Sequence, residues 1–254
     1  MQVKDKVVVV TGAASGIGKA LAERFAAEGA RRVVCVDLDR AGAERVATAI
    51  GGLAAAIDVA DERSLISLID EIESNVGPID LFCSNAGIGF EGGAETSNDK
   101  WDKIWAVNVM AHVFAARHLV PRMVARGGGY LLNTASAAGL LSQVGSASYA
   151  VTKHAAVGLA EWLAFSHADQ GIKVSVLCPQ AVRTAMTADN PDGVASIDGM
   201  IEPEDVAEAC VQAIAAEQFL ILPHPQVRDY LRNKADNYER WIGGMRKLNR
   251  RFKS

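Results

Sequence analysis

Long apolar runs are missing from this chain of 254 residues. Its most strongly apolar stretch, four valines at 7–10, is far shorter than the about 20 residues that a membrane-spanning helix needs. The chain passes from two lysines straight into these valines without a small-residue cleavage site, so we expect no secretory signal. A net charge of −4 gives no electrostatic reason to expect a nucleic-acid partner.

Cysteine is also scarce, with four residues and no CxxC spacing, and the five histidines do not cluster. This pattern argues against a disulfide framework and against the usual zinc motifs. Cys35, Cys83 and Cys178 lie inside apolar runs that are typical of buried strands. We interpret them as reduced core residues, and we expect no metal site and a cytoplasmic location.

What the chain does contain is a regular alternation of strand-like and helix-like segments. Its runs of valine, isoleucine and leucine lack a polar alternation, which indicates strands buried on both faces of a parallel sheet. A repeated strand–helix–strand order implies right-handed crossovers. We therefore predict an α/β fold: a single Rossmann-like, doubly wound parallel sheet of about seven strands with helices on both faces. The predicted strands are 6–11, 32–37, 53–57, 80–84, 129–134, 172–178 and 219–222, and the predicted helices are 16–28, 40–50, 61–76, 101–126, 149–168 and 203–216.

No linker or repeat divides the chain, so we predict one dinucleotide-binding and catalytic domain at 1–225. Within it, residues 179–202 form a long segment rich in small and turn-forming residues, and loops of that length are usually functional or disordered. Residues 226–254 follow as a helical extension with nine Lys and Arg against three Asp and Glu. This tail therefore carries a charge of +6, which leaves −10 for the rest of the chain.

The tail has apolar residues at three- to four-residue spacing, which predicts an amphipathic helix. Packing on the same domain or on a neighbouring subunit is the simplest interpretation. A basic amphipathic helix can also lie on a membrane surface, so that alternative stays open. The apolar positions are Val227, Tyr230, Leu231, Tyr238, Trp241, Met245 and Leu248.

The segment TGAASGIG at 11–18 joins the first predicted strand to the first predicted helix. Glycine allows left-handed backbone angles and lets a phosphate approach the main chain without a Cβ atom in the way. The start of the helix offers unpaired N–H groups and a partial positive charge to a pyrophosphate. The spacing GxxxGxG alone also fits a turn that binds no nucleotide. The candidate cofactor contacts here are Gly12, Ser15, Gly16, Ile17 and Gly18.

An acidic residue at the end of the second predicted strand strengthens the nucleotide interpretation. Asp37 lies nineteen residues after Gly18, where a carboxylate can accept hydrogen bonds from both hydroxyls of an adenosine ribose. The same charge would repel the 2′-phosphate of NADP, and positions 15 and 38 hold serine and leucine rather than a compensating arginine. Arg40 is the one nearby residue that could weaken this discrimination. We predict NAD (NAD⁺/NADH) as the cofactor, preferred over NADP.

Two Tyr–Lys pairs with a spacing of four residues are candidates for acid–base chemistry: Tyr149 with Lys153, and Tyr230 with Lys234. A free tyrosine has a pKa of about 10, and a lysine one helical turn away can lower that pKa by stabilising the phenolate. Only the first pair is preceded, at thirteen residues, by a strand-end serine, Ser136. The four-residue spacing does not by itself decide which pair does chemistry, and we interpret the second pair as lying on a solvated helix face.

Together, these motifs resemble those of the classical short-chain dehydrogenase/reductase family, in order and in spacing. The resemblance rests on TGAASGIG (11–18), NAG (85–87), Asn108, Ser136, Tyr149 and Lys153, and it covers about residues 5–185. It implies that Ser136 hydrogen-bonds the substrate oxygen, that Tyr149 is the general acid or base, and that Lys153 also holds the nicotinamide ribose. It further implies that Asn108 helps to order a water molecule for a proton relay.

The same resemblance implies further cofactor contacts. Two residues after the third strand would contact the adenine, and the NAG segment would pass under the adenine ribose. After the sixth strand the family usually shows Pro-Gly-x-Val-x-Thr, whereas this chain reads PQAVRT at 179–184, with Gln180 in place of glycine. The implied contacts are Asp58, Val59, Asn85, Ala86, Gly87, Pro179, Val182 and Thr184.

The substitution at Gln180 leads to a first prediction. Where the family has bare backbone, this chain carries a glutamine side chain beside the expected nicotinamide site. Because glycine restores the family pattern, Gln180→Gly is expected to keep kcat/KM within about tenfold of the wild-type value in a steady-state assay. A loss above about a thousandfold would show that Gln180 has a role of its own.

The candidate substrate pocket is mostly apolar and has no paired arginines for a carboxylate or phosphate; its predicted residues are Ile88, Phe90, 140–144 and 186–200. The expected reaction is hydride transfer between nicotinamide and a hydrophobic secondary alcohol or ketone. Two alternatives stay open: a catalytically silent NAD-binding regulatory or scaffold protein, and an epimerase or dehydratase that uses NAD without net oxidation. In the family, helices matching 101–126 and 149–168 pair between subunits, which implies a homo-oligomer, a tetramer or a dimer.

Overall fold

The computed structural model describes residues 1–188 and 192–252. Seven parallel strands form one sheet: β1 (Val7–Thr11), β2 (Arg32–Asp37), β3 (Leu53–Ala56), β4 (Leu81–Ser84), β5 (Gly129–Thr134), β6 (Ile172–Leu177) and β7 (Leu220–Ile221). Their order across the sheet is β3-β2-β1-β4-β5-β6-β7. The chain thus winds outward in both directions from β1, and a switch point for ligands lies between β1 and β4. The predicted fold class is confirmed.

The helices pack on both faces of this sheet. In the described part of the chain they are α1 (Gly16–Ala27), α2 (Arg40–Ile50), α3 (Glu62–Asn75), α4 (Asn98–Trp105), α5 (Ala111–Ala125), α6 (Ala138–Leu141), α7 (Ala147–His167), α8 (Ala185–Ala188), α9 (Pro203–Ala215), α10 (Gln226–Asp236) and α11 (Tyr238–Phe252). The valines of β1 show why no polar alternation occurs. Val8 and Val10 belong to the core with α1, α2 and α9, whereas Val7 and Val9 belong to the core with α3, α5 and α7.

The predicted helix 101–126 differs most from the structure. It begins three residues earlier, at Asn98, and a π-helical turn at Ala106–Met110 separates α4 from α5. The sequence prediction treated 101–126 as one continuous α-helix because π-helical turns are rare, and such turns are frequent at functional sites. The short helices α6 and α8 were also not predicted, because four residues are too few to show a helical period.

The long segment predicted at 179–202 is partly ordered by its own backbone. It contains α8 and a 3₁₀ turn at Val194–Ser196, and Val182 pairs with Ile201 in an isolated bridge. The segment therefore folds back on the residues that follow β6. Positions 189–191, within the predicted pocket range 186–200, lie outside the described residues.

The tail forms two helices rather than one, because Asn237 adopts an extended conformation between α10 and α11. Val227 at the start of α10 is fully buried. The prediction of a solvated pair at Tyr230 and Lys234 is wrong: the Tyr230 hydroxyl donates to Asp198, and Lys234 is buried and donates to the Leu140 carbonyl. The periodicity that placed both residues on one helix face could not show that this face packs on the domain. The boundary at 225/226 stays a prediction.

Within residues 1–188 and 192–252, no helix combines the length and the hydropathy required to cross a bilayer. The same ranges hold no cluster of three or more His, Cys, Asp or Glu side chains suited to a metal ion. All four cysteines are free and buried, which confirms their interpretation as core residues.

Candidate active site

The turn between β1 and α1 contains two glycines with left-handed backbone angles. Gly12 has φ +68°, and a Cβ atom there would lie 2.9 Å from the Ala86 Cα atom, so only glycine allows this close approach. Gly16 has φ +53° and begins α1. Ser15 is the N-cap of α1, but its side chain makes no capping hydrogen bond, so the first N–H groups of the helix have no side-chain acceptor.

The Asp37 carboxylate at the end of β2 braces this turn. Its Oδ2 accepts a hydrogen bond from the Ala14 N–H at 2.9 Å, and its Oδ1 accepts one from the Asp39 N–H at 3.0 Å. Because a carboxylate offers about four lone-pair sites, further acceptor capacity is left for a ligand. Asp39, in contrast, caps α2 through the Gly42 N–H, as a helix N-cap should.

The NAG segment is fixed by the ends of three strands. The Asn85 side chain donates to the Thr11 carbonyl at 3.0 Å and accepts from the Thr134 hydroxyl at 3.1 Å. The Thr11 hydroxyl accepts the main-chain N–H groups of Asn85 and Ala86. Beside them, a Cβ atom on Gly87 would lie 3.4 Å from the Lys153 ammonium nitrogen. The segment thus connects the nucleotide turn to the Tyr–Lys helix.

Asp58 and Val59 follow β3 on the same edge of the sheet. Asp58 accepts the Ala60 N–H in a local turn, and Val59 is buried. The contact of Asp58 and Val59 with adenine stays a prediction.

An open cavity of about 490 Å³ lies between the first turn of α1 and the start of α9. Gly16 and Thr184 line it, while none of the four predicted catalytic residues does. The cavity adjoins the uncapped start of α1, whose free N–H groups suit the pyrophosphate of a dinucleotide.

Tyr149 and Lys153 occupy one face of α7. The Lys153 ammonium is 5.6 Å from the centroid of the Tyr149 ring and donates to the Thr134 carbonyl at 3.0 Å. Burial lowers the pKa of Lys153 to about 8. Burial also raises the pKa of Tyr149, and the Ser136 hydroxyl acts in the opposite direction. The net direction is upward because burial dominates, contrary to the lowering of the Tyr149 pKa that we predicted from the lysine.

Ser136 lies just after β5, at the start of the segment that becomes α6. Its Oγ accepts the Ala138 N–H at 3.1 Å and lies 3.4 Å from the Pro179 carbonyl oxygen. The second distance is long for a hydroxyl donor, so the Ser136 proton can readily turn to a stronger acceptor.

Asn108 lies in the π-helical turn, fully buried. Its side-chain Oδ1 accepts the Ile88 N–H at 2.9 Å, and its Nδ2 donates to the Ile88 carbonyl and to the Thr152 hydroxyl. All these side-chain hydrogen bonds are used to hold Ile88, which follows the NAG segment, against Thr152 of α7. A role in ordering water would fall to its main chain and stays a prediction.

The turn after β6 carries the remaining predicted contacts. Pro179 and Val182 are buried, and Gly16 faces the methyl group of Thr184. Gln180 donates from its main-chain N–H to His224 Nδ1 at 3.1 Å, while His224 Nε2 donates to the Ala181 carbonyl. The imidazole therefore holds this turn in its neutral form.

Sequence reasoning missed four groups at this edge. Thr11 and Thr134 gave a usable signal, since each is a polar residue that ends an apolar strand. His224 lies in the PHPQ segment, which departs from the glycine-rich ending usual in the family. His112 on α5 gave no signal, because a histidine in an apolar helix can face either way.

His112 is buried beside Asn133, with Nδ1 3.2 Å from the Asn133 Oδ1. Burial lowers its pKa to about 4, and the Lys153 charge acts in the same direction. In the unfolded chain this histidine takes up a proton near its ordinary value of 6.5. Between these values the unfolded state binds more protons than the folded state, so stability falls as the pH falls.

We therefore expect His112 alone to remove about 2 kcal/mol from the free energy of unfolding between about pH 7 and about pH 5. His112→Gln should flatten that decline in denaturant titrations at several pH values. The exposed His154 provides the control, since His154→Gln should keep the full decline. An unchanged pH dependence in His112→Gln would contradict the prediction.

Comparisons with known proteins agree with this geometry. A family model described as short chain dehydrogenase matches residues 6–195. The chain is 36% identical over 253 residues to 1-deoxy-11-beta-hydroxypentalenate dehydrogenase of Streptomyces exfoliatus, which covers 95% of this chain and 91% of that protein. It is 34% identical over 218 residues to meso-2,3-butanediol dehydrogenase of Serratia marcescens, covering 82% and 86%. A short chain dehydrogenase/reductase from Burkholderia phymatum, solved in complex with NAD, matches with a TM-score of 0.85 and 29% identity, covering 94% of this chain and 96% of that one.

A doubly wound sheet with a glycine-rich turn after its first strand defines a dinucleotide-binding class, and the comparisons narrow that class to oxidoreductases. The chain belongs to the short chain dehydrogenase family, whose members bind a nicotinamide cofactor. The resemblance on which the sequence interpretation rested is thereby confirmed.

Proposed function

We propose that the protein is an NAD(H)-dependent oxidoreductase that acts on a secondary alcohol or its ketone, with Tyr149 as general acid or base. The main support is the convergence of Ser136, Tyr149 and Lys153 at the carboxyl edge of β5. Two relatives named as dehydrogenases of hydroxyl-bearing substrates add to it. The bound nicotinamide would accept or supply the hydride.

The side chains divide the proton chemistry among them. The Ser136 hydroxyl donates a hydrogen bond to the substrate oxygen, and it is free to do so because its contact with the Pro179 carbonyl is long. Tyr149 takes the proton of an alcohol as phenolate, or gives its own proton to a ketone as phenol. The Lys153 ammonium retains two donors beyond its bond to Thr134, which suit the nicotinamide ribose. Alcohol oxidation should accordingly speed up as the pH rises, and ketone reduction should slow down.

The other predicted contact residues would bind the dinucleotide. The first turn of α1 would meet the pyrophosphate, and Asp37 would accept the adenosine ribose hydroxyls and so favour NAD over NADP. Asp58, Val59 and the NAG segment would line the adenosine, and Pro179, Val182 and Thr184 the nicotinamide.

The substrate is proposed to be a hydrophobic or weakly polar alcohol, since Ile88, Phe90 and the residues after Ser136 are mainly apolar. An absorbance screen at the NADH wavelength, over a panel of alcohols and ketones with both nicotinamide cofactors, tests the proposal. NADH formation from a secondary alcohol is expected. Product formed without a net change in NADH would favour the epimerase or dehydratase alternative, and NADH binding without turnover on any substrate would favour a silent binding protein.

We also propose a homo-oligomer that pairs α4–α5 and α7 with their copies. These helices expose several large apolar side chains: Trp105, Val151, Trp162 and Phe165. Phe165, the most exposed of them, is 72% accessible in the single chain, and such clustered apolar surface usually marks an interface. Light scattering should give a dimer or tetramer. The cytoplasmic location stays a prediction.

A further inference from the structure

Helix α10 is tied to the turn after β6 by a chain of hydrogen bonds. The Tyr230 hydroxyl donates to Asp198 Oδ1 at 2.9 Å, and Gln180 Nε2 donates to Asp198 Oδ2 at 3.1 Å. Asp198 lies in the segment that returns to the same turn, where the Arg183 N–H donates to the Ile201 carbonyl at 3.0 Å. Tyr230 therefore holds this returning segment in place.

One helical turn further on, the same helix is tied to a second segment. The Lys234 ammonium donates to the Leu140 carbonyl near the end of α6 at 2.6 Å. Lys234 is only 9% exposed, and its ammonium lies 4.9 Å from the centroid of the Trp241 ring and 5.6 Å from that of Tyr238. A buried ammonium with a charge-assisted hydrogen bond and two aromatic neighbours fixes the position of its acceptor firmly.

Both tethered segments meet at the predicted catalytic serine. Helix α6 begins two residues after Ser136, and a Cβ atom on Gly139 would lie 2.4 Å from the Lys153 carbonyl oxygen, so α6 rests directly on α7. From the other side, the Pro179 carbonyl accepts the Ala137 N–H at 2.8 Å. A shift of either segment would move the Ser136 hydroxyl relative to Tyr149.

We propose that α10 is a strap across the substrate end of the site, with Tyr230 and Lys234 as positioning residues that hold the two walls of the alcohol pocket around Ser136. The inference rests on the proposed function for its substrate. On this proposal, Tyr230 and Lys234 contact only other protein groups, but their contacts change the kinetics of the enzyme. Among the described residues, no hydrogen bond joins α10 to the glycine-rich turn or to Asp37, and Tyr230 reaches the turn after β6 only through Asp198 and Gln180. The strap should therefore affect the KM for the alcohol more than the Kd for NADH.

Three variants of the full chain test the strap: Tyr230→Phe, Lys234→Met and Lys234→Arg. The first two should raise the KM for the alcohol about tenfold, because each loses one hydrogen bond that positions a pocket wall. In both, kcat should stay within about threefold and the Kd for NADH within about twofold. Lys234→Arg keeps the positive donor and should restore most of the affinity. Arg232→Met, on the exposed side of α10, is the matched control and should change nothing.

Hydrogen–deuterium exchange gives a second reading that does not depend on turnover. Tyr230→Phe should raise exchange at 192–202, Lys234→Met should raise it at 137–144, and 12–18 should stay protected in both. Raised exchange with an unchanged KM would overturn the proposal, since the contacts would then serve stability alone. A matching loss of NADH binding would overturn it as well.

The strap and the proposed function can fail separately. If the wild-type protein oxidises no alcohol, the proposed function fails, and exchange then decides on the strap alone. Exchange confined to the two walls would support it, and unchanged exchange in a folded Tyr230→Phe variant would refute it.

Discussion

Replacing Tyr149 by phenylalanine is expected to lower kcat for alcohol oxidation by about 10²- to 10⁴-fold, the usual contribution of a positioned general acid or base. Phenylalanine keeps the ring that faces Lys153 and removes only the hydroxyl that would carry the proton. Because neither the glycine-rich turn nor Asp37 is touched, the Kd for NADH should stay nearly unchanged in a fluorescence titration.

The second Tyr–Lys pair provides the matched control for this experiment. Tyr230→Phe makes the same chemical change on a helix of the same chain, and its effect should be confined to a rise in KM of about tenfold. Unchanged turnover in Tyr149→Phe would overturn the assignment of the acid or base. Equal losses of kcat in both variants would contradict the proposal that Tyr149 does the acid–base chemistry and Tyr230 only positions the pocket.

The second large effect concerns the choice between NAD and NADP. A 2′-phosphate held about 4 Å from the Asp37 carboxylate would meet a repulsion of about 1 kcal/mol in water and about 4 kcal/mol at an effective dielectric constant near 20. The wild-type protein should therefore prefer NAD by about fivefold to about a thousandfold in kcat/KM. Asp37→Asn removes the charge and keeps one oxygen that can accept the Ala14 N–H, while the exposed Asp39 N–H loses its acceptor, and most of the preference should disappear.

Asp39 is the control for that change, because its carboxylate lies two residues away and caps α2. Asparagine is an equally good N-cap, so Asp39→Asn should leave the cofactor preference as it is. If Asp37→Asn kept the wild-type ratio of kcat/KM for the two cofactors, the Asp37 charge would not be the source of the discrimination.

The sheet and the nucleotide end could be predicted from the sequence because their signals are local. The valines of β1 must be covered on both faces, and the glycines after them are required by backbone angles and close approach. Ser136 and the pair on α7 were recognisable from their order and spacing together with the family resemblance, since the Tyr–Lys spacing alone also fits Tyr230 and Lys234. In the structure, the Ser136 hydroxyl and the Lys153 ammonium both lie beside Tyr149.

The parts that could not be predicted depend on contacts between distant segments. Nothing near Lys234 in the sequence indicates that its ammonium reaches Leu140, ninety-four positions away. Asp198 has no motif around it in the sequence. Only the structure shows that its carboxylate accepts hydrogen bonds from Gln180 and Tyr230. The π-helical turn around Asn108 was not predicted, because such turns are rare and a continuous α-helix is the usual interpretation of an apolar segment of this length.

The most direct test of the account is a crystal structure of the protein with NADH bound. The account predicts that the nicotinamide C4 atom faces a space bounded by the Tyr149 and Ser136 hydroxyls, with room for a carbonyl carbon about 3.5 Å from C4. It also predicts that the Lys153 ammonium reaches the nicotinamide ribose. A nicotinamide ring directed away from Tyr149, or a Ser136 hydroxyl turned out of that space, would contradict it.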